Sequence, residues 1–94
     1  MALDPKLAQL RQRIDDVDQR LLQLIAERMR IVFEVAEYKR ERGLPAYDPE
    51  RERTMLDRLT SLAPPELAPE TVRRIFERLI DESRRLEQVR LDHR

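Results

Sequence analysis

A few side chains in this sequence sit where the surrounding pattern asks for something else. Leu7, Leu10, Ile14, Val17, Leu21, Leu24, Ile31, Val35 and Tyr38 form an apolar seam of heptad spacing, and position 28 of that seam holds Arg28. A guanidinium there is costly unless it is paired or bound to an anion. Lys39 follows eleven residues on, about 20° around a helix and about 16 Å along it, so both side chains can lean toward one point. Lysine is also scarce, 2 against 17 arginines. The plainer reading is a snorkelling Arg28 and a solvated Lys39, and spacing alone leaves both open. Arg11 flanks the same seam, about 25 Å from Arg28 along one helix, too far for one small anion to be shared within a chain.

Carboxylates and a hydroxyl complete the set. Asp48 and Glu52 lie one turn apart on the face that continues to Leu56 and Leu59. They also read as an ordinary helix cap and a helix-start acid favoured by the dipole. Ser83 and Glu87 continue the Phe76–Ile80 stripe. They either face a polar cavity or mark where a helix leaves the core, and the apolar Leu86 and Val89 around them favour the cavity. Three cations, one or two carboxylates and a hydroxyl could bind a small dianion bearing a hydroxyl. The chemistry open to them is positioning and electrostatic stabilisation rather than covalent catalysis.

The composition narrows the alternatives. The chain has 94 residues, 19 basic and 19 acidic, which gives no support for a non-specific nucleic-acid or membrane-surface binder. It has no cysteine, and its one histidine, His93, reads as tail. Thiol nucleophiles, thiolate metal sites and histidine-based triads are therefore not expected, nor is any metal. A single glycine excludes Gly-rich phosphate loops. No apolar run approaches the roughly 20 residues of a membrane span, and the start shows no signal-peptide pattern, so a cytoplasmic location is expected.

Three helices must position these groups. Helix 1 is expected from the Asp4 cap and Pro5 to about Arg42, where Gly43 can end it. A second stripe, Leu22, Ile25, Met29, Val32 and Ala36, widens its apolar face. Helix 2 is expected from the Asp48 cap and Pro49 to about Leu62, and helix 3 from Pro69 to about Asp92 behind a poor cap, Ala68. The stripe of helix 3 is Val72, Ile75, Phe76, Leu79, Ile80, Leu86 and Val89.

A first helix apolar along nearly its whole length needs more cover than two shorter helices supply. The expected architecture is all-α, one domain over residues 1–94, in an intertwined helical homodimer. A three-helix monomer would need helix 1 to break, and no Pro or Gly marks a break between Lys6 and Arg42. In an antiparallel dimer with its dyad near Leu21–Leu24, the partner's Arg11 approaches the Arg28–Lys39 segment. Two cationic pockets result, each built across chains.

At these residues the sequence resembles the all-α chorismate mutases. The resemblance runs through Leu10-Arg11-Gln12-Arg13-Ile14-Asp15, Ala26-Glu27-Arg28, Lys39, Asp48-Pro49-Glu50-Arg51-Glu52-Arg53 and Ile80-Asp81-Glu82-Ser83. No single piece is specific; the ordered set is. It implies the Claisen rearrangement of chorismate to prephenate, toward phenylalanine and tyrosine, without a cofactor. Arg28 and the partner chain's Arg11 would hold the two substrate carboxylates. Lys39 would contact a carboxylate and the ether oxygen, while Glu52 and the backbone N–H of Asp48 would meet the ring hydroxyl. Arg51 would help hold the ring carboxylate and orient Glu52, and Ser83 would add a hydroxyl at the carboxylate end. The second donor to the ether oxygen, often glutamine in this family, is Glu87 here.

An ionised carboxylate cannot donate a hydrogen bond, so Glu87 is expected to act only when protonated, through a raised pKa. Alternatively, Gln88 could supply the donor through a small local shift, but helical geometry turns it about 100° away. The nearest rival activity is an isochorismate pyruvate lyase on the same fold, against which the Asp48 and Glu52 pair speaks. A non-catalytic helical dimerisation module would have no need of the seam arginine. Docking to another aromatic-pathway enzyme is a further expectation, because this family occurs fused or bound to such enzymes. The chain ends soon after helix 3, so no fused catalytic domain is expected.

Overall fold

A computed structural model describes residues 4–92, with side chains to residue 90; His93, expected as tail, and the first three residues lie outside the described residues. The elements are α1 (Pro5–Arg42), α2 (Pro49–Ser61) and α3 (Pro69–Asp92). The fold is all-α, as expected, with no strand among the described residues. The chain divides into two compact units, Met1–Val32 and Phe33–Arg94, and the division falls inside α1. Among the described residues no helix is long and apolar enough to cross a membrane.

Local chemistry explains each boundary. The Asp4 carboxylate accepts from the backbone N–H groups of Lys6 at 2.9 Å and Leu7 at 3.2 Å, satisfying donors that the first turn leaves open. At the other end of α1, Lys39, Arg40 and Arg42 complement the helix dipole. Gly43 adopts φ 65°. The N–H of Leu44 then returns to the Lys39 carbonyl at 2.8 Å and that of Gly43 to the Arg40 carbonyl at 3.3 Å, which makes a Schellman motif. Asp48 caps α2 by accepting from the Arg51 N–H at 3.0 Å, with Pro49 at the first helical position. Helix α2 ends one residue earlier than the pattern suggests, with Leu62 as its C-cap. Helix α3 begins at Pro69 without a side-chain cap on Ala68; the Ala68 carbonyl accepts from Thr71 and Val72.

In the second unit α2 packs on α3. Met55 of α2 and Val72 and Ile80 of α3 are buried, and Ser83 is buried with them. The Arg73–Asp57 ion pair at 2.7 Å ties the helices at the surface. Such exposed pairs contribute little, ~0–1 kcal/mol, so apolar burial dominates this packing.

The seam of α1 is uncovered. In the first unit Ile14 is 59% exposed and Leu24 61%, and Leu7, Leu10, Val17, Leu21 and Ile31 are exposed too. Of the second stripe, Met29 is buried and Ile25 and Val32 are half-buried, but Leu22 is 68% exposed. In the second unit Val35, Tyr38, Ile75, Leu86 and Val89 are exposed.

The helix stop makes a clean prediction. A Cβ built on Gly43 meets no atom within 4 Å, so substitution there strains only the backbone. Gly43→Ala should cost about 1–2 kcal/mol in urea unfolding. Gly43→Asn should cost less, because asparagine tolerates the left-handed region. Equal losses for both would contradict this reading.

Candidate active site

Helix α1 delivers Lys39 in its last turn, and the Schellman stop turns the chain so that Leu44 and Ala46 lie beside it. The Lys39 ammonium donates to the Ala46 carbonyl at 3.3 Å. Lys39, Leu44 and Ala46 line a cavity of about 230 Å³ together with Phe33, Ala36, Glu37 and Arg40 of α1 and Glu87 and Arg90 of α3. The Arg90 guanidinium lies over the Phe33 ring, 4.3 Å from its centroid. Two of the expected site residues, Lys39 and Glu87, thus share one cavity. Gln88, the alternative donor, is exposed.

Burial pushes the Glu87 carboxyl above its ordinary pKa, while the Lys39 ammonium and the Arg84 guanidinium pull it back without cancelling the rise. The shift is in the direction that keeps the carboxyl protonated to higher pH than a free glutamate. A protonated carboxyl is a hydrogen-bond donor, so below the raised Glu87 pKa the cavity presents an ammonium and a carboxylic acid.

Glu52 projects from the first turn of α2 toward α3. Arg84 meets it with a fork: Nε donates to Glu52 Oε1 at 3.0 Å, and Nη2 pairs with Oε2. Glu52 and Arg84 line a second cavity of about 300 Å³ with Leu56, Glu77, Ile80 and Asp81. The guanidinium that meets the Glu52 carboxylate is that of Arg84, not that of Arg51. Arg51 is exposed and contributes its backbone N–H to the Asp48 cap. One residue along a helix turns a side chain by about 100°, enough to take Arg51 off the Glu52 face. Asp48 performs the capping reading of its carboxylate.

Ser83 is buried, but its hydroxyl donates back to the Leu79 carbonyl at 2.7 Å. Helix back-bonding of this kind commits the proton, so in this rotamer Ser83 does not supply the expected donor to a carboxylate. Asp48, Arg51 and Ser83 line neither cavity. Arg11 and Arg28 belong to the first unit, where Arg11 is exposed and Arg28 is half-buried and already engaged.

Sequence reasoning missed Arg84. A signal for it exists: Val72, Phe76, Ile80 and Arg84 form an i, i+4 row on α3, and Val72 and Ile80 are buried. An arginine ending a buried row is placed to reach a neighbouring helix.

Comparison with known proteins bears on this set. Residues 10–88 match the family described as chorismate mutase type II. A chorismate mutase from Methanocaldococcus jannaschii is 39% identical over 88 residues, 93% of this chain and 89% of that protein. A bifunctional chorismate mutase/prephenate dehydratase from Pseudomonas aeruginosa is 39% identical over 94% of this chain, which spans only 26% of that longer protein. A solved chorismate mutase structure from Thermus thermophilus superposes with a TM-score of 0.84 at 38% identity, covering 88% of this chain and 94% of that one. A match from Leu10 to Gln88 takes in most of α1, the whole of α2 and α3 as far as Gln88, and on that ground the chain belongs to the chorismate mutase type II family.

Proposed function

We propose that this chorismate mutase rearranges chorismate to prephenate by positioning and electrostatics alone, with residues 1–94 as one domain of an intertwined homodimer. The observation that carries the site is the pairing of Lys39 with Glu87 on one cavity. In the rearrangement an ether C–O bond breaks as a C–C bond forms, and no proton need enter or leave. The ether oxygen gains negative charge on the way. An ammonium from Lys39 and a carboxylic O–H from Glu87 are the two donors suited to that oxygen, and they strengthen as its charge grows.

The other residues hold the substrate in its reactive conformer. Arg28 and the partner chain's Arg11 take its carboxylates, and Glu52 with the backbone N–H of Asp48 takes the ring hydroxyl. Arg51 and Ser83 are carboxylate contacts of second rank, Ser83 only after its hydroxyl leaves the Leu79 carbonyl. What supports the dimer is the exposed seam of α1, which solvent would not leave uncovered along so many turns. A cytoplasmic location belongs to the same reading. So does docking to a prephenate-consuming enzyme, by analogy with the bifunctional Pseudomonas relative.

Acceleration of the order of 8 kcal/mol is within reach of these means, because fixing the conformer and stabilising the ether oxygen each supply several. Lys39→Ala should therefore lower kcat/KM by about 10²–10³, and Arg28→Ala by a comparable factor. Losses below about tenfold for both would contradict their roles.

The pH dependence follows from the raised Glu87 pKa. The donor form is the protonated one, present below that pKa and lost as pH rises through it. Activity on chorismate, followed with product identification, should fall toward alkaline pH. Glu87→Gln, which donates at every pH, should flatten the profile. A wild-type profile already flat from acid to mildly alkaline pH would remove Glu87 from the mechanism.

A further inference from the structure

Glu52 can accept the ring hydroxyl only if its carboxylate is held at a fixed angle, and it sits on a side chain with three rotatable bonds. Arg84 supplies the restraint. Its Nε and Nη2 take the two Glu52 oxygens, its Nη1 lies 3.5 Å from Asp81 Oδ1, and its guanidinium carbon is 5.3 Å from the centroid of the Tyr47 ring. The Glu52 side chain is 24% exposed and that of Arg84 47%. A fork engaging both carboxylate oxygens fixes the plane of the carboxylate, which a single-point contact does not. Each oxygen keeps a further lone pair for a hydroxyl donor.

We propose that Arg84 is a positioning residue for the mutase reaction, setting the angle of the Glu52 carboxylate through this two-point fork between α3 and α2. The inference rests on the role given to Glu52 in the reading above. Arg84 need not touch substrate; it acts through Glu52.

The same guanidinium also acts on Glu87, with the opposite consequence. Groups facing Glu87 are Glu37, Lys39 and Arg40 from α1 and Arg84 and Arg90 from α3. Among them Lys39 and Arg84 favour its ionised form. Arg84 thus helps the carboxylate that must accept and opposes the carboxyl that must stay protonated. Removing it should weaken the first function and extend the second to higher pH, a combination that loss of a merely structural ion pair would not produce.

The test is kcat and KM against pH for wild type, Arg84→Met, Arg84→Lys, Glu52→Gln and the Glu52→Gln/Arg84→Met double variant, with folding checked by circular dichroism. Arg84→Met should lose about tenfold in kcat/KM at acidic pH, with part restored in Arg84→Lys. In the Glu52→Gln background the same change should cost less than about twofold, because the partner it positions is gone. The alkaline limb of Arg84→Met should lie at higher pH than that of wild type. Equal losses in both backgrounds with an unmoved limb, or wild-type parameters for Arg84→Met, overturn the proposal while leaving the site reading intact. No loss in Glu52→Gln, or no turnover by wild type, overturns the role of Glu52 and takes this proposal with it.

Discussion

Everything in this protein depends on what covers the apolar seam of α1. Among the described residues the buried apolar side chains are Met29, Met55, Val72 and Ile80, and no large side chain is fully buried. A chain of 94 residues with so little interior cannot offset the entropy of ordering its backbone, about 1–2 kcal/mol per residue, from its own contacts. Each seam leucine or isoleucine taken from water would add about 1.5–3 kcal/mol. Dimerisation through that seam is the proposed source of the missing burial. In the proposed dimer the partner chain would supply both core and a substrate-binding arginine.

Within the second unit, two carboxyl groups are given different work by their surroundings. Glu52 meets a guanidinium fork and is kept as an acceptor of defined direction. Glu87 lies in a largely apolar cavity, where burial favours its neutral form more than the nearby cations oppose it. The reaction asks for one acceptor at a hydroxyl and one donor at an oxygen that gains charge. In the proposed mechanism, environment rather than residue type would separate these two roles. Arg84 acts on both: it pairs with Glu52 and opposes the rise at Glu87.

The helices were legible because their ends are chemically marked. Asp4-Pro5, Gly43, Asp48-Pro49 and Pro69 each impose a dihedral angle or supply a cap that few other residues can, and the elements begin or end there. Lys39 stands out by its eleven-residue spacing from Arg28 and the scarcity of lysine, and Glu87 as a polar continuation of an apolar stripe; the two share a cavity. The partner of Glu52 was not. Glu52 and Arg84 are 32 residues apart, and which arginine on α3 reaches α2 depends on the packing of the two helices, which local spacing does not encode. The family resemblance gives the orienting role to Arg51, but an adjacent helical residue points about 100° away from Glu52. The Ser83 rotamer was hidden for a similar reason: a buried hydroxyl chooses between a ligand and its own helix only once the surrounding volume is fixed.

The central claim is that one active site is assembled from two chains, with Arg11 of one serving Arg28 and Lys39 of the other. Subunit complementation tests it most directly. Arg11→Ala and Arg28→Ala homodimers would each lack a cation in both sites, whereas a mixed dimer would contain one intact site and one lacking both. Unfolding the two variants together and refolding the mixture should raise activity on chorismate to about a quarter of that of wild type treated in the same way, far above either variant refolded alone. Activity no greater than the average of the two separate variants would show that each chain uses its own arginines, and would contradict the shared site.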